Sequence, residues 1–246
     1  MNKINVFYHI YLVNDYNYES IINDQLEKLL NLKNKNNKIK FYINITNSDS
    51  NIILSDNLIR LMEELGSHVT HTSNNLFELS TLSMLYNHAL NTVDEYYLYI
   101  HTKGITRLSH LDDGKYSYKN VENWRHIMEH FCIEQYETCV DELKNYDLVG
   151  CNYIPSGTMG VPAHYSGNFW WSKSEFIKKL PNIGDKLKSH IDRFDAEFWV
   201  GSICHKALCL FPIPKPIYEN HNRCYSYNEK QEYYNNIIKS EFTNCG

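Results

Sequence analysis

The chain has no excess of charge that would build a binding field. Its 24 Lys and Arg residues face 29 Asp and Glu residues, for a formal net charge of -5. That excludes the basic surface needed to hold nucleic acid or an anionic membrane. No run approaches the roughly 18 consecutive apolar residues of a membrane span. The opening stretch Ile4–Val13 is broken by Asn5, Tyr8, His9 and Tyr11, so it reads as a core strand and not as a secretion signal. GxGxxG, P-loop, HExxH and GxSxG patterns are all missing, which removes the commonest dinucleotide, NTPase, zinc-protease and serine-hydrolase readings. The seven cysteines form no CxxC pair and their spacing is irregular. They read as reduced thiols of a cytoplasmic protein. The sequon Asn44-Ile45-Thr46 falls in an expected strand of a chain without a secretion signal and is set aside. There is no internal repeat, and no linker long enough to separate two domains.

What is there is an ordinary globular composition: 246 residues, 43% hydrophobic and 22% charged. Ile4–Val13, Ile39–Ile45, a short stretch at Val69 and Tyr96–Ile100 read as strands. Tyr18–Leu32, Leu54–Leu65 and Phe77–Leu90 carry apolar residues at helical spacing, with Gly66 as a stop. This β-α-β-α-β-α-β order implies an α/β fold with a mostly parallel central sheet flanked by helices. Further on, 101–119 is a polar loop and Val121–Leu143 one long helix. Asp147–Tyr153 is a strand, Pro155–Pro162 a loop and Lys173–Leu180 a helix. Asp192–Leu208 is expected to be helical, and Leu210–Pro216 extended.

In open α/β sheets ligands bind beyond the carboxyl ends of the strands. Candidate donor-binding residues therefore lie near Tyr11, at Thr46, and at His101, Thr102, Lys103 and Gly104. Gly104 permits close backbone approach, Lys103 suits a diphosphate oxygen, and His101 can donate to phosphate or bind a metal. Polar residues also follow any strand that surfaces. The block His164–Trp171 combines aromatic rings, which can stack on sugar faces, with Ser166, Gly167 and Asn168, which suit a hydroxyl rim. Trp170 and Trp171 read equally well as core. Asp195 and Glu197 stand two apart at a helix start. One can point into a cleft as a general base while the other favours the helix dipole. Asp112-Asp113 and His221 are weaker candidates.

On these residues the chain resembles GT-A glycosyltransferases, whose single Rossmann-like domain handles nucleotide-diphosphate sugars. The stretch LSMLYNHALNTVDEYYLYIHTKG (Leu82–Gly104) looks like the family's helix, acidic turn and apolar strand ending in a DxD metal motif. WRHIMEHF, YDLVGCNY, HYSGNFWW and DAEFWVGS are similar to blocks in glycosyltransferases of large DNA viruses and bacteria. The likeness spans about Ile4 to Ser202. It departs from the family in one place: His101-Thr102-Lys103 stands where DxD belongs, and no DxD occurs anywhere. The resemblance then implies that Lys103, helped by His101, replaces the metal. The alternative is a displaced Mn2+ or Mg2+ site using His101, His221 or Asp113. It further implies Glu197 as catalytic base with Asp195 as second choice, and nucleobase and ribose near Tyr11 and Thr46. Sugar and acceptor would sit at His164, Ser166, Gly167, Asn168, Trp170 and His221. Residues 1–104 would bind a donor, UDP-linked, and residues 105–246 a glycan or glycoprotein acceptor. The implied activity is transfer of a hexosyl unit in surface glycan synthesis. The competing expectation is an inactive relative that binds nucleotide or glycan. A nucleotidyltransferase is disfavoured because 14–17 lacks glycine.

Overall fold

The computed structural model describes residues 3–13, 18–47, 53–72, 76–106, 118–188, 192, 194–211 and 240–244. Strands β1 (Ile4–Leu12), β2 (Ile39–Asn47), β3 (His68–Thr72) and β4 (Tyr96–His101) alternate with helices α1 (Tyr18–Lys35), α2 (Asp56–Leu65) and α3 (Leu79–Leu90). The second half holds α4 (Tyr118–Glu129), α5 (Tyr136–Glu142), β5 (Leu148–Cys151), β6 (Tyr153–Ile154), β7 (His164–Tyr165), β8 (Trp170–Lys173), α6 (Ser174–Ile177), α7 (Asp195–Trp199), β9 (His205–Phe211) and β10 (Ser240–Asn244). The main sheet runs β10-β9-β5-β8-β4-β1-β2-β3. It is mostly parallel: β8 lies antiparallel between β4 and β5, and β10 is antiparallel to β9. This is the expected α/β architecture.

Residue type explains the placement. β1 and β4 are apolar along almost their whole length and take central positions, buried on both faces. Alternation then divides the side chains. Val6, Tyr8, Ile10, Leu98 and Ile100 join one core with α1, α2 and α4, while Phe7, Tyr97 and Tyr99 join the other with α3 and α7. Ile22, Leu26 and Leu29 of α1 are each 0% exposed, contributing about 1.5–3 kcal/mol apiece. Gly66 caps α2 at φ 63, its N–H reaching Glu63 O.

Two helix expectations need correction. Val121–Leu143 is not one helix, because a π-turn at His130–Glu134 separates α4 from α5. The extra residue lets Phe131, Cys132 and Ile133 all bury, and Cys132 O accepts Trp171 Nε1 at 2.8 Å. Asp192–Leu208 is helical only over α7, and from His205 the chain is a strand. Gly201 lets the chain pass close to the loop before β7, since a Cβ there would lie 1.9 Å from Ala163 O. Beyond it Ala207 and Cys209 face one core while Leu208 and Leu210 face the other, a strand period. The cysteine expectation also changes. Cys132, Cys139, Cys151 and Cys209 are free, but Cys204 is disulfide-bonded. No helix among the described residues is long and apolar enough to cross a membrane.

Candidate functional site

The β1–β4 register sets His9 beside His101 at the carboxyl end of the sheet. On the face they share, Glu78 at the start of α3 gathers three groups. Its Oε2 accepts from Tyr99 OH at 2.9 Å and from Asn168 Nδ2 at 2.6 Å, and its Oε1 lies 3.5 Å from His101 Nδ1. Asn168 also holds Trp170 Nε1 at 2.8 Å and reaches Ala196 O of α7 at 3.4 Å. Its φ of 56 is left-handed, a conformation that asparagine tolerates better than most side chains. Gly167, at φ 93, is required by packing as well, because a Cβ would lie 2.6 Å from Met128 Sδ. Its N–H donates to Glu197 Oε1 at 2.8 Å. His101 Nε2 lies 2.9 Å from Gly167 O. A carbonyl only accepts, so Nε2 carries the proton and Nδ1 faces Glu78 as an acceptor.

Burial, reinforced by the nearby Lys103 charge, pushes His101 down to about 3 against smaller opposing effects of Gly167 and Glu197. His101 is therefore neutral at pH 7 and does not supply the positive charge that the resemblance assigned to it. Burial likewise lowers His9 to about 4. Its Nδ1 meets Thr81 Oγ1 at 2.8 Å, and Asn44 continues this polar ladder from buried Ser80 out to exposed Thr70 and half-buried Thr72.

The structure thus brings His101, Gly167, Asn168 and Glu197 together. Other sequence-derived candidates lie elsewhere or are engaged in the fold. Thr102 is buried, with Oγ1 accepting from Tyr11 N at 3.0 Å, so it extends the β1–β4 seam. Thr46 is buried at the far end of the polar ladder, 3.4 Å from His9 Nε2. Lys103 Nζ sits 4.2 Å over the Trp124 ring. Gly104, at φ 86, has its close approach to Val121, whose Cγ1 would be 2.8 Å from a Cβ. Trp170 is a wholly buried core residue stacked on Tyr99, with no face open to a sugar. His164 is buried, with Nδ1 on Pro162 O at 2.8 Å and its ring against Phe198. Ser166 N–H donates to Asn152 O at 2.9 Å. Asp195 pairs with Lys186 at 3.1 Å and accepts from Asp192 N, so it serves its own helix start. His221, Asp112 and Asp113 lie outside the described residues.

Sequence reasoning missed Glu78, Tyr99 and His9. Glu78 looks like an ordinary acid at a helix start. The usable signal was a histidine and a tyrosine, His9 and Tyr99, inside apolar strands, since a buried polar group needs a partner. Around His101 the described residues assemble no three-ligand metal set. The one such group, Asp24, His126 and Glu129, already holds the Lys28 ammonium 2.6 Å from both carboxylates.

Residues 7–185 match the profile of a family described as a domain of unknown function, DUF8361. The chain belongs to this family. The match takes in His9, Glu78, His101 and Asn168 and stops short of Glu197. Among solved structures, a candidate nucleotide-diphospho-sugar transferase from Desulfovibrio desulfuricans G20 is 7% identical at TM-score 0.38, covering 76% of each chain. S. aureus TarS 1-349 is 12% identical at TM-score 0.37, covering 78% of this chain and 53% of that one. A 4-diphosphocytidyl-2C-methyl-D-erythritol synthase is 8% identical at TM-score 0.36, covering 95% and 97%. Likenesses this distant carry no argument about activity. No curated protein matches the sequence.

Proposed function

We propose that this DUF8361 chain is a GT-A-type glycosyltransferase that moves a sugar from a UDP-linked donor to a hydroxyl acceptor. The observation that carries the reading is the meeting of Glu197, Glu78 and His101 at the carboxyl edge of the parallel strands, where open α/β sheets bind ligands. Helix α1 follows β1 and so begins at this edge, and its positive dipole end favours an anionic diphosphate. Lys103, whose Nζ rests over the Trp124 ring, supplies the positive charge. Glu197 has one oxygen fixed by Gly167 N–H and acts as the base that takes the acceptor hydroxyl proton. Glu78 positions Tyr99 and Asn168 beside it.

A second reading is a binding protein without turnover. It is favoured by the structural bonds that His101 and Glu197 both make to Gly167.

A thermal-shift series with UDP-, GDP-, dTDP- and CDP-sugars, with and without Mn2+, tests the proposal. A donor at ~100 times its Kd adds about 2.7 kcal/mol and raises Tm by several °C. A shift confined to UDP-sugars is expected, followed by UDP release when acceptor is added. A shift without turnover in any acceptor mixture selects the second reading. No shift at millimolar ligand ends both.

A further inference from the structure

Two phenylalanines stand exposed where a soluble core would ordinarily take them. Phe77 is 39% and Phe194 44% accessible. Phe77 immediately precedes Glu78, and Phe194 stands three residues before Glu197. Asn168 bridges the two helix starts, bonding Glu78 Oε2 at 2.6 Å and Ala196 O at 3.4 Å, which sets the two phenylalanines at the starts of neighbouring helices. Phe194 also stacks on Phe198, centroids 5.9 Å apart and 17° between planes, which widens the aromatic surface. Phe77 has φ 49, an outlier for an aromatic side chain and a kind of strain that gathers at ligand sites.

The donors of the cluster, Tyr99 OH, Asn168 Nδ2 and Gly167 N–H, are already bonded to the two carboxylates, which leaves acceptor atoms to meet a ligand. Glu78 Oε1 lies 3.5 Å from His101 Nδ1, and Glu197 adds a second carboxylate. Two carboxylates beside a neutral imidazole repel an anionic ligand and welcome hydroxyl donors. Apolar ring faces next to clustered acceptors suit a sugar, which has an apolar C–H face and a rim of hydroxyls.

We infer that the acceptor in the proposed transfer is an uncharged pyranose, stacked on Phe77 and Phe194 with its hydroxyls donated to Glu78 and Glu197. This rests on the glycosyltransferase reading and narrows its acceptor to neutral sugars, excluding uronates and phosphosugars.

The test is saturation-transfer NMR on the full chain with UDP present. The probes are methyl β-glucoside, methyl β-galactoside, methyl N-acetyl-β-glucosaminide and methyl β-glucuronide. At least one neutral glycoside should receive saturation at its ring C–H protons, and the glucuronide none. The pair Phe77→Asn with Phe194→Ala should weaken that binding by about fivefold or more, given what one aromatic contact contributes. Phe194→Leu alone keeps apolar bulk and guards against a folding artefact; it should weaken binding too. Leu90→Ala, at an exposed site at the other end of α3, should change nothing. In every variant the thermal shift with UDP-sugar should persist. If UDP-sugar binds but no neutral glycoside does, the acceptor inference falls and the donor reading stands. Equal binding of glucuronide, or unchanged binding in the ring variants, also overturns it. Absence of both UDP-sugar and glycoside binding removes the underlying reading and the inference with it.

Discussion

Two carboxylate clusters flank the end of β4, one on each face of the sheet, and they are built on opposite electrostatic plans. On the α1–α4 face Glu129 is fully buried, with Lys28 Nζ at 2.6 Å, Arg125 Nε at 3.2 Å and Gln25 Nε2 at 2.8 Å. Gln25 also accepts from Tyr8 OH at 2.6 Å and donates to His101 O at 3.2 Å. Burial alone would raise Asp24, but hydrogen bonds from His126 and Lys28 and the Lys28 charge outweigh it and hold the carboxyl well below its usual range. Two acids thus meet two permanent cations, and the cluster is closed. On the α3–α7 face Glu78 and Glu197 meet a neutral histidine, a phenol, an amide and a backbone N–H, with no lysine or arginine paired to either among the described residues. Carboxylates matched by cations brace a fold. Carboxylates left uncompensated at a strand edge are free to meet a ligand.

The largest expected effect breaks the closed cluster. Glu129→Leu leaves Lys28 and Arg125 without their shared partner and should cost about 3–5 kcal/mol in urea unfolding, with UDP-sugar binding retained by the folded fraction. A stability near that of the parent would mean that charge matching does not brace this face. Glu197→Gln makes the opposite prediction for the open cluster. The amide oxygen still accepts from Gly167 N–H, so Tm should barely move, while transfer should fall ~10²–10⁴-fold. Transfer at the parental rate would remove Glu197 as base.

The effect that is smallest per pH unit separates the two faces by pH. His9 and His101 are depressed from 6.5 to about 4 and about 3, chiefly by burial. A depressed group contributes stability that is complete above its unfolded pKa and is lost as pH falls. Chemical unfolding between pH 8 and pH 4 should show loss beginning near 6.5, at about 1.4 kcal/mol per unit for each histidine. His9→Gln should flatten part of that slope. Asp24 starts from 3.8, so its contribution is lost only at lower pH. A profile flat down to pH 4 would mean that the histidines are not held neutral by the fold.

Residue order by itself determined the alternating first half. The apolar runs of β1 and β4, the period of α1 and α2 and the Gly66 stop are local signals, and each element formed where its pattern stands. Among its many candidates were His101, Gly167, Asn168 and Glu197, which the fold brings together, because a buried strand ending in polar residues and a small-residue turn are visible locally. Only the tertiary structure decided the rest. The π-turn lies where Cys132 O accepts from Trp171 Nε1, a contact with a strand 39 residues on. The run after Gly201 becomes a strand because β5 and β10 offer it ladder partners. Trp170 is core because Tyr99 stacks on it, and Asp195 is drawn off by Lys186. Glu78 joins the site only because α3 begins beside a turn 90 residues away in sequence, at Asn168. Periodicity reports which face a residue occupies, but which charged groups share that face, and whether they cancel, depends on long-range packing.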